Sequence, residues 1–214
     1  MDAPTWTVTS LETSTPPVPL SSSSSSSPTL LEGIKVLELC RIIAGPTIGR
    51  ILAEYGANVL KVTGPGLSDV PFFQVDGNMG KHATEIDLKS VEGRAVFDQL
   101  LEEADIVLDG YRPGALDKLG YSAKSLAAFA EKRGKGIVYV NENCFGYTGD
   151  WANRPGWQQI ADCVSSSNST DNFVTDILYH WIYFADENLG ERARMVTGAV
   201  YGFKGTHSST FPDF

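Results

Sequence analysis

The sequence predicts an α/β fold: a Rossmann-like parallel sheet with helices on both faces, preceded by a disordered Ser/Pro-rich N-terminus and followed by an irregular C-terminal tail. Three observations predict it. Short runs rich in Val, Ile and Leu alternate with stretches whose apolar residues recur every three or four positions, the pattern of strands alternating with covering helices. The segments joining them are short. Hydrophobic residues make up 42% of the 214 and charged residues 20%, a globular balance with room for one ordinary domain.

Residues 1–30 carry Pro16, Pro17 and Pro19 and then an unbroken serine run over residues 21–27, which offers too little apolar surface to offset chain ordering. They are expected to form a disordered leader or linker. From residue 31 the texture changes. Residues 33–39 read as a buried strand, and Pro46 opens a helix whose Ile48, Ile51, Leu52 and Tyr55 share a face and which Gly56 closes. Residues 58–62 form the next strand, completing a βαβ unit with a parallel, right-handed crossover. Residues 64–80 are turn-rich. Residues 91–104 predict a second amphipathic helix with Val96, Leu100 and Leu101 on one face, and residues 105–108 a strand. Pro113 opens a short helix to Gly120, Ser122 or Ser125 caps another running to about Lys132, and residues 136–140 form the fourth strand. After Val164 a polar run over residues 165–170 breaks the pattern, leaving a divergent, weakly helical tail over residues 165–214 around the apolar patch at 177–184. The domain itself is expected over residues 31–164.

The net charge of -9, with no block of Lys and Arg, argues against a nucleic-acid or anionic-membrane surface. Cys40, Cys144 and Cys163 form no CxxC pair and leave one over, which argues against a disulfide framework or a zinc site; His82, His180 and His207 are scattered, so no metal site is expected. No signal sequence and no run of eighteen apolar residues is present, and the expected location is the cytoplasm, with an organelle left open.

There is no P-loop and no GxGxxG sequence; the first βα turn reads Arg41-Ile42-Ile43-Ala44-Gly45-Pro46. Small Ala44 and Gly45 let a ligand approach the backbone at a helix N-terminus, where amide N–H groups and the helix dipole favour a phosphate or ring nitrogen. A tight turn that needs a glycine explains the same residues when the motif is taken alone.

Its companions make the pattern specific. The segment at 31–39 (Leu-Glu-Gly-Ile-Lys-Val-Leu-Glu-Leu), the Ala-Gly-Pro turn at 44–46, residues 52–62 (Leu-Ala-Glu-Tyr-Gly-Ala-Asn-Val-Leu-Lys-Val) and residues 111–120 (Tyr-Arg-Pro-Gly-Ala-Leu-Asp-Lys-Leu-Gly) occur in order, followed by Phe145-Gly146 and Arg154-Pro155-Gly156. Together they resemble the class III CoA-transferases, or CaiB/BaiF type, the group containing formyl-CoA transferase and carnitine CoA-transferases. The resemblance covers residues 31–164, about six-tenths of the chain.

The resemblance implies coenzyme A or acyl-CoA as substrate, with no permanently bound cofactor, held over the carboxyl ends of the sheet strands. Ile42 and Ile43 would turn their backbone to the CoA. Lys81 matches the cation of the family's Asn-Lys-Arg-type stretch, Tyr111 stands in the Asn-Phe-x-Pro-Gly motif and would stack near adenine, and Lys118 matches a basic position that can meet phosphate. The sequence departs from the family at Gly64, where Thr63-Gly64-Pro65-Gly66 replaces Glu-x-Pro-Gly and its frequent arginine, and at Asn143, where a basic residue is common.

The implied activity moves CoA between an acyl-CoA and a carboxylic acid through an enzyme carboxylate that becomes an anhydride and then an aspartyl-CoA thioester. The expected partners are those two substrates and a second copy of the chain or a full-length relative, with no nucleic acid and no membrane. In relatives the aspartate follows the Arg-Pro-Gly segment; here residues 157–164 still follow the pattern and the serine run then replaces it, so no catalytic residue is assigned and the chain reads as truncated. Asp171, Asp176, Asp186 and Asp213 lack the expected small neighbours, and Asp162 sits inside the matched segment. Two alternatives stay open. One is a non-catalytic remnant that binds CoA or a full-length partner. The other is an acyl-CoA racemase of the same family, disfavoured because Gly156-Trp157-Gln158 replaces the Gly-His-Asp that would carry the proton.

Overall fold

The computed structural model describes residues 8–11, 29–67, 71–147, 149–154 and 156. The expected leader lies almost wholly outside these residues, and the expected tail, together with Asp162, Cys163 and every downstream aspartate, lies entirely outside them. The described residues of Ser10–Asn143 form one compact unit, and those from Cys144 onward, with Val8 and Thr9, form another.

In the larger unit the chain runs β1 (Lys35–Leu39), α1 (Ala44–Glu54), β2 (Asn58–Thr63), α2 (Pro71–Gly77), β3 (His82–Glu85), α3 (Val91–Glu103), β4 (Ile106–Asp109), α4 (Ala115–Lys118), α5 (Ala123–Arg133) and β5 (Val138–Asn141). All neighbouring strands pair in parallel, in the order β3-β2-β1-β4-β5. The chain winds outward in one direction from β1 through β2 to β3, then returns to the other side of β1 for β4 and β5. That reversal opens a crevice beyond the carboxyl ends of β1 and β4, the place where doubly wound sheets bind ligands.

Side-chain alternation decides what each face meets. Leu37 is level with Leu60 and Val107, and Leu39 with Asp109. These positions face a core of Phe97, Leu101, Leu116, Tyr121 and Leu126, supplied by α3, α4, α5 and their connections. Val36, Glu38 and Cys40 face the other way, toward α1. There Gly45 and Gly49, one turn apart, bring the helix backbone down onto the strand: a Cβ on Gly45 would overlap Cys40, and one on Gly49 would overlap the Glu38 carboxylate. Helices thus cover both faces, as expected.

Two elements escape the sequence pattern, α2 inside the stretch expected to be turns and β3 just after it. Strand β3, His-Ala-Thr-Glu, is an exposed edge strand with no apolar run to announce it and is defined by its pairing to β2. The seven-residue α2 falls between glycine-rich turns. The apolar face of α3 is also set one position further along: Phe97 and Leu101 are buried, whereas Val96, about 100° around the helix from Phe97, is 48% exposed. Helix α1 starts two residues before Pro46, which occupies the first turn, where its missing N–H costs nothing.

Serine caps two helices, that at Ser122 as expected. Ser90 Oγ accepts the Gly93 amide at 2.9 Å, and Ser122 accepts that of Ser125 at 3.2 Å. Replacing Ser90 by alanine is expected to lower stability by about 1 kcal/mol in urea denaturation, the usual worth of an N-cap.

In the smaller unit, Phe145 meets Trp151 edge-on with ring centroids 5.4 Å apart, and the Arg154 guanidinium lies 4.3 Å from the Trp151 ring centroid. Gly156 lies against Phe145, whose Cζ would be 2.8 Å from a Cβ there, so the Phe145 ring occupies the room a side chain at 156 would need.

Candidate functional site

The crevice is bounded by two loops. The first, Cys40 to Ile43, links β1 to α1, and within it Ile42 adopts φ 69°, the left-handed region that a β-branched residue enters only under constraint. Ile43 is the N-cap of α1; it offers no side-chain cap, and the first turn contains no acidic residue. The helix therefore presents its positive end toward the crevice without a built-in anion. The second loop leaves β4 through Gly110 and Tyr111. Asp109 fixes its direction: Oδ1 accepts the Tyr111 amide at 2.9 Å, while Oδ2 accepts Tyr139 Oη–H at 2.7 Å and Asn141 Nδ2 at 3.1 Å.

Of the residues singled out in the sequence, Ile42, Ile43 and Tyr111 come together at this edge, all partly buried. Lys118 is exposed on the last residue of α4, downstream of the Tyr111 loop. Lys81 is placed differently from a surface lysine. It precedes β3, whose first residue His82 is level with Leu60 in β2 and so with Leu37 in β1, below the crevice. Its side chain runs under α1, fully buried, with Nζ 2.6 Å from Glu38 Oε2 and donating to the Pro46 carbonyl oxygen at 2.7 Å. Burial lowers the Lys81 pKa, opposed by the attraction of Glu38.

A second group of ionisable residues lies at the same carboxyl ends. Cys40 is buried, donates weakly to the Leu108 carbonyl at 3.6 Å, and has its thiol pKa raised, first by burial and then by Glu38, Glu142 and Asp109. Burial and the neighbouring carboxyls thus disfavour the nucleophilic thiolate form of Cys40. Burial, with Asp109 second, pushes Glu142 up to about 7; burial pushes Asp109 up to about 6 against the hydrogen bonds from Tyr139, Tyr111 and Asn141. Gly110 lies between Cys40 and Glu142: a Cβ there would be 3.0 Å from Cys40 Sγ and 3.3 Å from Glu142 Oε2.

Both carboxyls have folded pKa values above their unfolded ones, so the folded chain holds more protons between about pH 4 and pH 7. Their favourable contribution is complete below the unfolded pKa and is lost as pH rises through about 6 and then about 7. Glu142→Gln is accordingly expected to stabilise the chain at pH 8 by on the order of 2–3 kcal/mol and to change little at pH 4, read from urea midpoints at the two pH values.

Sequence reasoning missed Glu38, Asp109, Tyr139, Asn141 and Glu142 as parts of the site. The available signal was a charged residue inside an apolar strand, Glu38 in Lys-Val-Leu-Glu-Leu and Asp109 closing Ile-Val-Leu-Asp, because parallel strands covered on both faces leave no solvent for it. Among the described residues no group of three or more His, Cys, Asp or Glu is placed to hold a metal ion, and no helix is long and apolar enough to cross a membrane.

The fold and the crevice define a doubly wound α/β domain with an uncapped helix N-terminus at its switch point. Comparison with known proteins is more specific: residues 31–172 match CoA-transferase family III, and the chain belongs to that family. It is 43% identical over 140 residues to the acetyl-coenzyme A transferase nodX of Hypoxylon pulicicidum, covering 65% of this chain and 24% of that protein. It is 45% identical over 139 residues to an acyl-CoA transferase of Gibberella moniliformis, covering 64% and 24%. A formyl-CoA:oxalate CoA-transferase of Escherichia coli is 29% identical over 157 residues, covering 68% and 37%. Among solved structures, a CaiB/BaiF family protein from Brucella suis superposes with a TM-score of 0.64 at 27% identity, covering 87% of this chain and 60% of that one. The chain thus spans from about a quarter to somewhat over a third of the length of these three relatives.

Proposed function

We propose that this chain is the coenzyme-A-holding portion of an acyl-CoA:carboxylate CoA-transferase, with CoA bound in the crevice between the loops after β1 and β4. The observation that carries the reading is the uncapped α1 N-terminus at the switch point of a family III sheet. The backbone at Ile42 and Ile43 faces the pantetheine or phosphate portion, Tyr111 stacks against the adenine end, and Lys118 supplies a solvated cation for phosphate. Lys81 supports the same site from beneath α1.

Electrostatics favour an anion there. The two carboxyls nearest the crevice, Asp109 and Glu142, resist ionisation, which reduces the repulsion a phosphate would meet as pH falls toward 6. Lys81 and Lys118 contribute positive charge. Against this, Gly64 and Asn143 stand where the family often has basic residues, so affinity is expected below that of relatives that keep them.

Isothermal titration with CoA tests the binding step. Measurable affinity that weakens with ionic strength, and weakens a few-fold more in Lys118→Ala at low salt, is expected; heat-silent titration at millimolar CoA overturns the reading. Incubation with an acyl-CoA and hydroxylamine then separates the two forms of the proposal. A trapped enzyme-bound acyl group and CoA exchange between acids mark a transferase. Binding without trapping marks a chain that holds CoA and needs a longer relative for chemistry.

A further inference from the structure

Three charged side chains are buried under the first two turns of α1. Glu38 and Lys81 have no exposed side-chain surface, and Lys61, level with Glu38 in the adjoining strand, is 2% exposed. Apolar residues of similar volume would fill this space at least as well, because removing ions from water is costly even when they are paired. Packing alone therefore does not account for these residue types.

Their geometry shows what they hold. The Lys81 ammonium forms an ion pair with Glu38 Oε2 at 2.6 Å and donates to the Pro46 carbonyl oxygen at 2.7 Å. Pro46 is the third residue of α1. One turn further on, the absent side chain of Gly49 leaves the room in which the Glu38 carboxylate sits, and a Cβ there would also come within 3.0 Å of Lys81 Nζ. The first turn of the helix is thus tied at Pro46 to the segment entering β3 and seated at Gly49 on β1. The turn so held carries Ala44 and Gly45, whose amides are among the first-turn N–H groups that no helical carbonyl accepts.

We infer that Lys81 is a positioning residue: it fixes the first turn of α1 through the Pro46 carbonyl, with Glu38 as its anchor, and so sets the direction of the Ala44 and Gly45 amides without touching the ligand. The inference rests on the reading of the crevice as the CoA site. Lys61, in register with Glu38 on the adjoining strand, adds a second buried lysine below the first turns of the helix.

The test compares Lys81→Met and Lys81→Arg in the 214-residue chain by amide NMR, hydrogen exchange and CoA titration. Lys81→Met leaves Lys61 in register beside Glu38 on the adjoining strand. The expected result is displaced resonances and faster exchange at Ala44 and Gly45 in the ligand-free protein, with Leu108 in β4 unchanged. CoA affinity should fall about tenfold, the scale of one charge-assisted hydrogen bond lost from the site. Lys81→Arg, which keeps the charge and its donors, should retain most of the affinity. If Lys81→Met does not fold, Lys81→Gln is read by the same criteria.

Wild-type affinity in Lys81→Met would overturn the inference. So would lost affinity with unaltered Ala44 and Gly45 amides in the free protein, which would place Lys81 in direct contact with the ligand. Should the wild-type chain bind no CoA, the proposed function fails by itself, since the ligand-free amide perturbation is measured independently.

Discussion

Gly49→Ala is expected to destabilise the chain by roughly 3–5 kcal/mol, read as a lowered urea midpoint with an unchanged m-value. At an exposed helical position the same change would help, because alanine is about 1 kcal/mol better than glycine in a helix interior. Here the added methyl would overlap the Glu38 carboxylate and approach Lys81 Nζ to 3.0 Å. Neither neighbour can swing into water, since both side chains are fully buried. The methyl must lift α1 from β1 or separate the ion pair, and either outcome exceeds the propensity gain. Lifting α1 also moves the amides at its N-terminus, so CoA affinity is expected to fall in the same variant at temperatures where it remains folded.

This dependence on one missing methyl shows where sequence reading stops. The elements β1, α1, β2, α3, β4, α5 and β5 were legible because each carries its own signal: an apolar run, a helical period, or a serine cap such as Ser122. Strand β3 carries no such signal, since an exposed edge needs no apolar residues and its identity comes from β2. Phe97, rather than Val96, faces the core because the sheet decides which row of the helix it meets.

The same distinction applies to the crevice. Ile42, Ile43 and Tyr111 stand at ends of predicted strands, so their place in βα loops could be read directly. What holds those loops could not. Glu38 and Asp109 each look like one polar residue in an apolar strand, and their roles arise from long-range partners: Lys81 for Glu38, and Tyr139 and Asn141 for Asp109. The two buried carboxylates have parallel functions, Glu38 anchoring the lysine that ties down α1 and Asp109 orienting the amide of Tyr111 across the crevice. Lys81, which the resemblance marks as a cation for CoA phosphate or pantetheine, has its side chain under α1 against Glu38 and the Pro46 carbonyl.

Phe97→Ala provides a contrast of similar size on the opposite face. Phe97 is 0% exposed, meets Tyr121 edge-on at 4.8 Å between centroids, and belongs to the core that joins α3, α4 and α5 to Leu37 and Leu39. Removing the ring forfeits its transfer free energy, leaves a cavity that the flanking helices can only partly close, and ends the aromatic contact. The expected cost is about 3–5 kcal/mol in urea denaturation. Tyr121 would keep its hydroxyl bond to Asp98 Oδ1, at 2.9 Å, which limits how far α3 can collapse into the space. Because this face does not hold α1, Phe97→Ala is expected to leave CoA affinity within about twofold of wild type well below its melting temperature, consistent with the additivity of well-separated sites. Equal losses of affinity in Gly49→Ala and Phe97→Ala would mean that binding follows global stability; loss in Gly49→Ala alone would locate it at the seat of α1 on β1.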